Sequence, residues 1–253
     1  LNATAATLLA GAWIAIKRRR PDVHKYLVVS AFAASSLFVA LSREGLGLRG
    51  QAVDFSTQPP RFVAPSDELK AGFMSLLEAG KGMVFLHHAI AGWPLWPEYG
   101  EVIGGRFFYS PASLRGEPVL DSGYRHDVKH TVQVVNSTHP ITADIDETFS
   151  LTDELYLCEV FEDSVTPLLR SDYPFERAQF YSAHHAVTGK MFCNDDWPHP
   201  DGSNVIGWTK RSANSHIAYL QPGDGPETFA SDTYRRLLEN AIRWAAAFNS
   251  SRQ

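Results

Sequence analysis

From Asp54 onward the sequence predicts an α/β domain, because short apolar strands alternate with amphipathic helices. One helix is predicted between Ser66 and Gly80, where Ser66 is a suitable N-cap, acidic residues follow in the first turn and apolar residues recur at helical spacing. The next run, residues 82–88, is apolar without interruption until it closes on two histidines. Such a run is typical of a parallel strand buried on both faces, so we expect this strand to be central in a sheet.

The remaining elements follow from the same kind of pattern. Strands are expected over 131–136, 165–169, 204–210 and 216–220, and helices over 94–103 and 234–248. The last two strands are separated by a short Ser-Ala-Asn loop, which predicts a hairpin. The stretch 124–130 shows no clear period and is expected to be irregular.

Residues 1–45 do not fit this pattern and are predicted to form a separate hydrophobic helical hairpin. Two nearly uncharged runs, 3–16 and 26–41, flank the basic turn 17–21, and each is shorter than the roughly 20 residues that a membrane-spanning helix needs. The string LNATAATLLAGAWIAIKRRRPDVHKYLVVSAFAASSLFVA resembles a family of small bacterial membrane proteins of unknown function. We favour a fused or passenger segment with membrane association through 1–41 over two core elements, because basic residues in a short loop orient membrane hairpins.

Composition excludes several classes of protein. The chain has 253 residues, a net charge of −5 and a pI of about 6.1, and no basic stripe, so nucleic acid is not expected as a partner. Its two cysteines, Cys158 and Cys193, fit neither a metal or redox motif nor a secreted disulfide framework. We therefore expect the α/β domain to be cytoplasmic.

Several segments in a fixed order carry a resemblance to a known family. They are GKGMVFLHHAIAGWPLWPEYGEVIGGRF, then HP, LTDELY and GW, and a final helix R-x-L-L-x-N-A-I-R-W-A. Over residues 54–247 the chain resembles the trehalose-utilisation (ThuA-like) family. This resemblance implies a three-layer flavodoxin-like sheet related to class I glutamine amidotransferases, and a role in the use of trehalose or similar disaccharides. Family members begin with strands that this chain replaces with the hairpin, so the sheet is expected to lack its N-terminal strands.

Candidate site residues are polar side chains expected near the carboxyl ends of strands, where ligands bind in open α/β sheets. Acid–base roles are assigned to His87, His88, His126, Asp153 and Glu154, whose side chains suit proton transfer on a sugar or keto-sugar. Substrate contacts are assigned to Trp93, Arg106, Tyr124, Tyr156, His184 and Gln221. One pocket is expected to hold Arg106, Tyr124, His126, Asp153 and Glu154. The alternative is that the two acids cap the next segment and Tyr156 packs in the core.

Cofactor chemistry is not expected from the sequence. His126 and His130 would share a helix face and could bind a metal with His87 or Asp153, but Gly123 and the following strand-like run argue against a helix. Amidotransferases place a nucleophilic cysteine after a central strand, where this chain has His87-His88-Ala89. Glutamine hydrolysis by a thiol is therefore excluded.

The function expected from these residues is action on a sugar or oxidised sugar by histidine and carboxylate acid–base chemistry, as a hydrolase, lyase or isomerase. Two alternatives remain from the sequence alone. One is a sugar-binding domain without catalysis, and the other is an inactive fusion fragment.

Overall fold

The structure is a computed structural model that describes residues 53–57 and 59–247. Its strands are β1 (Val53–Asp54), β2 (Arg61–Phe62), β3 (Met83–Leu86), β4 (Gly105–Arg106), β5 (Ala112–Leu114), β6 (Glu117–Val119), β7 (Gly123–Val134), β8 (Thr148–Leu157), β9 (Glu159–Val160), β10 (Thr166–Ser171), β11 (Tyr181–Ser182), β12 (Val205–Ser212) and β13 (Ser215–Leu220). Its helices are α1 (Asp67–Glu78), α2 (Pro97–Ile103), α3 (Ala183–Val187), α4 (Pro226–Ala230) and α5 (Asp232–Ala247), with 3₁₀ turns at His87–Ala91, Pro140–Thr142 and Arg177–Gln179.

Seven of these strands form one sheet in the order β11, β7, β10, β12, β13 and β3, with β8 paired to β7 as well. Strands β13 and β3 run parallel, and the other neighbouring pairs in this sheet are antiparallel. The hairpin predicted over 204–220 is confirmed as β12 and β13. The fold is therefore of the predicted α/β class.

Strand β3 differs from the prediction in its position. It pairs with β13 and is the last strand of the sheet among the described residues, and each of its residues is half-buried. The run is apolar because Val84 and Leu86 pack on one cluster of core residues while Phe85 packs on another. The prediction of packing on both faces thus holds, but the prediction of a central strand is wrong for the part of the chain that is described.

The segment 124–130, predicted to be irregular, is instead the first half of the long strand β7. A register shift in its ladder with β8 leaves two residues, His126 and Asp127, opposite the single residue Glu154. Asp127 has a positive φ of 54° at this β-bulge. Because the bulge breaks the alternation of buried and exposed side chains, the sequence shows no strand period there.

Two apolar clusters lie on opposite faces of the sheet, as the alternation along β13 shows: Ala218 and Leu220 belong to one cluster, and Tyr219 between them belongs to the other. Helix α5 covers the first cluster with Leu237 and Ala241. Helix α1 begins as predicted, with the Ser66 hydroxyl oxygen accepting a hydrogen bond from the Leu69 amide at 3.2 Å.

The hairpin predicted over residues 1–45 lies outside the described residues. Within 53–57 and 59–247, no helix is both long enough and apolar enough to cross a membrane.

Candidate functional site

His87 stands at the carboxyl end of β3, where the strand stops and a 3₁₀ turn begins. Its backbone has a φ of 44°, a left-handed conformation that is uncommon for residues other than glycine and that recurs at functional sites. The side chain is buried, and its Nδ1 lies 2.8 Å from the carbonyl oxygen of Gln221, just after β13. Because a carbonyl can only accept, Nδ1 donates this hydrogen bond, and Nε2 is the ring nitrogen that faces the rest of the site.

Strand β8 brings Glu154 and Tyr156 to one face of the sheet, because side chains two positions apart on a strand point the same way. The Oε2 atom of Glu154 lies 3.1 Å from Nε2 of His87 and 2.7 Å from the hydroxyl of Tyr156. Its Oε1 atom lies 3.1 Å from Nδ1 of His126, which the bulge in β7 sets opposite this carboxylate. One carboxylate, 7% exposed, therefore contacts two imidazoles and a phenol.

The hydroxyl of Tyr156 connects this group to a second one. It lies 2.7 Å from Nε2 of His87 and 2.8 Å from Nδ1 of His88. The other ring nitrogen of His88 lies 2.7 Å from the hydroxyl of Tyr109. A continuous hydrogen-bonded path thus runs from Tyr109 through His88 and Tyr156 to the carboxylate of Glu154.

Asp153 points to the other side of β8 and holds the loop that follows β13. Its carboxylate accepts hydrogen bonds from the amides of Gly223 at 2.7 Å, Asp224 at 3.1 Å and Glu154 at 2.9 Å. This loop carries the carboxylate of Asp224 to within 3.6 Å of Nε2 of His87. Asp153 therefore acts as a positioning residue in this geometry.

Burial and charge shift the pKa values of these groups in different directions. Burial alone would lower the pKa of His87, but its contacts with Glu154 and with the Gln221 carbonyl raise it above the ordinary value. Burial would raise the pKa of Glu154, but hydrogen bonds from His87 and Tyr156 hold it below the ordinary value. Burial lowers the pKa of His88. In the absence of other cations, this pattern favours an imidazolium at His87 beside a carboxylate at Glu154, with His88 neutral.

The remaining candidate residues lie at varying distances from this network. The ring of Tyr124 lies 5.2 Å from that of His126, which places it at the edge of the site. The guanidinium of Arg106 is buried and donates to the carbonyls of Gly92 and Trp93, so it supports that loop. Neither of these two hydrogen bonds connects Arg106 to the other four residues that were expected to share a pocket with it.

Two further candidates make contacts that favour structural roles. His184 is paired with Ser110, with 3.2 Å between Nδ1 and the hydroxyl oxygen. The side-chain oxygen of Gln221 accepts from the Tyr156 amide at 3.0 Å, and the residue is fully buried. The contact of Gln221 with His87 therefore comes from its backbone carbonyl.

The structure adds two residues that the sequence did not single out. Asp224 lies in a turn-rich loop, and only its contact with His87, which is distant in the sequence, makes it a site residue. Phe192 is 59% exposed and its ring lies 6.3 Å from that of His126. A single aromatic residue in a loop does not belong to any periodic sequence pattern. Phe192 is recognised as a site residue only by its exposed position beside His126 in the structure.

Three side chains of this site could hold a metal ion. One ligand atom each from His87, Glu154 and Asp224 lies within 4.8 Å of the others. The helical pair considered from the sequence does not form, because His126 and His130 lie on a strand. His130 instead bonds the Ser171 hydroxyl at 2.8 Å.

Neither cysteine belongs to the network. Cys158 is buried, and burial raises the pKa of its thiol well above the ordinary value, which disfavours the thiolate. Cys193 is half-buried, and its carbonyl accepts a hydrogen bond from the Ser182 amide.

Comparisons with known proteins agree with this fold. A family model described as trehalose utilisation (ThuA) matches residues 53–245. A crystal structure of a ThuA-like protein from Parabacteroides merdae superposes with a TM-score of 0.54 at 15% identity, covering 76% of this chain and 70% of that protein. One from Bacteroides uniformis gives a TM-score of 0.50 at 22% identity, covering 72% of this chain and 66% of that protein, just under two thirds of its length.

At these identities the structural matches support the fold alone. No sequence among curated proteins matches significantly. The match of the family model over most of the chain shows that this protein belongs to the trehalose-utilisation (ThuA) family.

Proposed function

We propose that this protein acts on a sugar or an oxidised sugar derivative by acid–base chemistry centred on Glu154. The observation that carries the proposal is the position of this buried carboxylate between two imidazoles and a phenol. A family concerned with trehalose utilisation makes a disaccharide, or the keto-sugar formed from it, the ligand class to test first.

His126 is the group best placed to take a proton from a ligand. Its side chain is 42% exposed, and Nδ1 is turned toward Glu154, which leaves Nε2 for a ligand. A carboxylate that accepts from Nδ1 fixes the tautomer in which Nε2 carries the lone pair, as in other histidine–carboxylate pairs. His126 therefore serves as the base and Glu154 as the group that orients it.

His87 and Tyr156 are the proton donors on the buried side of the same carboxylate. In a keto-sugar, His126 would remove a proton from the carbon beside the carbonyl, and a donor on the Glu154 side would protonate the carbonyl oxygen. The product is an enediol. Deprotonation of the original hydroxyl and protonation of the former carbonyl carbon then complete an isomerisation. Expulsion of a neighbouring substituent from the enediol would instead complete a lyase reaction.

The rim of the site suits a sugar ring. Phe192 and Tyr124 flank His126, with ring centroids 6.3 Å and 5.2 Å from its imidazole. Tyr124 is buried, so the exposed ring of Phe192 supplies the apolar face for the C–H side of a sugar, whose hydroxyls reach the polar groups of the network.

Hydrogen–deuterium exchange tests the proposal directly. The purified chain is incubated in D₂O with the keto derivative of trehalose, and loss of the proton signal beside the carbonyl is followed by NMR. We expect the wild type to accelerate exchange, and His126→Ala and Glu154→Gln to lose about 100-fold or more of this acceleration. Asp127→Asn changes an exposed carboxylate in the same bulge and is expected to leave the rate unchanged.

Two outcomes would count against the catalytic proposal. Binding of sugar without exchange or turnover would favour a sugar-binding domain. Absence of both binding and turnover with trehalose and its keto derivative would remove the sugar proposal.

A further inference from the structure

We propose that His87, Glu154 and Asp224 bind a divalent transition-metal cation of the Zn²⁺ type, through Nε2 of the imidazole and one oxygen of each carboxylate. The three ligand atoms lie within 4.8 Å of one another and come from three separate parts of the chain. Metal binding at these three side chains does not depend on the sugar chemistry above and can be measured without any sugar.

The spacing of the ligand atoms suits one ion. Nε2 of His87 lies 3.1 Å from an oxygen of Glu154 and 3.6 Å from an oxygen of Asp224. Metal–ligand bonds of about 2.1 Å at angles of about 90–120° place neighbouring ligand atoms about 3.0–3.6 Å apart. The carboxylate oxygens of Glu154 and Asp224 lie within 4.8 Å of each other, and the half-exposed Asp224 side chain has room to turn toward the ion.

The ligands are also oriented as metal ligands usually are. The Nδ1 of His87 donates to the Gln221 carbonyl at 2.8 Å, which fixes the tautomer in which Nε2 presents its lone pair. The Tyr156 hydroxyl donates to Glu154 at 2.7 Å and holds that carboxylate in place. Asp153 fixes the loop of Asp224 through two backbone amides.

Charge favours a cation in this position. Asp153, Glu154 and Asp224 bring three carboxylates together, and a divalent ion would offset two of these charges. An imidazole ligand favours zinc-like ions over Mg²⁺, which prefers oxygen ligands alone. Asp224 and His126 lie on the open side, with side chains 50% and 42% exposed, so a water or a ligand oxygen can complete the coordination.

A cation bound here would supply Lewis-acid polarisation of a hydroxyl or carbonyl oxygen. The base assigned above remains available, because His126 contacts Oε1 of Glu154 while His87 contacts Oε2. When Nε2 of His87 binds the cation, Tyr156 is the proton donor that remains on the buried side. The two roles therefore use different oxygens of the same carboxylate.

The test is zinc binding by the full chain without an affinity tag. The protein is treated with a chelator, dialysed against Zn²⁺, and its metal content is measured by mass spectrometry, with thermal melting as a second readout. We expect one zinc per chain, and a melting temperature that rises with added zinc because only the folded state forms the site.

Asp224→Asn is the principal variant, because its half-exposed side chain can be changed with little risk to folding. We expect it to weaken zinc binding at least about tenfold and to remove the thermal stabilisation. Asp146→Asn, an equal charge change at an exposed loop position, is expected to bind like the wild type. Zinc content below one-tenth per chain in the wild type, or equal binding by Asp224→Asn and the wild type, would overturn the proposal.

Discussion

Replacing Asp153 by asparagine should destabilise the protein and loosen the loop that carries Asp224. The carboxylate is 4% exposed and accepts three backbone hydrogen bonds, two at Oδ1 and one at Oδ2. An asparagine that keeps its oxygen at the Oδ1 position turns an NH₂ group toward the amide of Gly223, so one bond is lost and one donor is left without an acceptor.

A hydrogen bond to a charged group contributes about 1.5–3 kcal/mol, and a buried donor without a partner costs about 1–3 kcal/mol. These terms overlap, so we expect Asp153→Asn to lower the free energy of unfolding by about 2–4 kcal/mol. Urea unfolding at neutral pH measures the change. Amide hydrogen exchange should show faster exchange at Gly223 and Asp224.

Asp127→Asn is the control, because Asp127 is exposed on the neighbouring strand and asparagine tolerates its positive φ. It should change stability by less than about 0.5 kcal/mol. If Asp153→Asn unfolds within that same range of the wild type, the three bonds do not hold the loop and the positioning role is refuted.

Three further changes test other parts of the structure. Gly82→Ala should destabilise the protein by about 1–3 kcal/mol in urea unfolding, because the added Cβ would lie 2.1 Å from the carbonyl oxygen of Ala245. Gly72→Ala should instead stabilise it by about 0.5–1 kcal/mol, because Gly72 lies on the exposed face of α1 and an added Cβ would meet no atom within 4 Å. Equal effects of the two substitutions would contradict this packing. Burial lowers the pKa of His130, so as pH falls below about 6.5 the unfolded state binds a proton before the folded state does, and the folded protein loses stability. The free energy of unfolding of His130→Gln should therefore depend less on pH in that range. An unchanged pH dependence would contradict this role of His130. Phe192→Ala should weaken sugar binding by roughly fivefold to tenfold in calorimetry. The melting temperature should change little, because the side chain is 59% exposed. An unchanged affinity would show that Phe192 is not part of the site.

Local patterns were sufficient for several elements of the fold. The cap at Ser66, the end of α2 at Gly104 and the hairpin of β12 and β13 depend on neighbouring residues, and the structure confirms all three. The prediction that β3 is a central strand was wrong. Apolar residues indicate that both faces of a strand are packed, whereas the order of strands in a sheet depends on which strands pair along their edges.

The candidate site was only partly accessible to the same reasoning. The sequence placed His87 at a strand end and selected Glu154, His126 and Tyr156 by their chemistry, and the structure brings these four into contact. The bulge that orients His126 could not be foreseen, because one extra residue in a strand is visible only when its partner strand is known.

The sequence by itself determined the family, the α/β class and the presence of acid–base side chains, because each depends on residue types at fixed spacings along the chain. Only the tertiary structure decided which of those side chains meet. His87 reaches Glu154 across 67 positions and the Gln221 carbonyl across 134, and Asp224 joins them through a loop held by Asp153. Such contacts are set by strand order and register, and local periodicity carries no information about either.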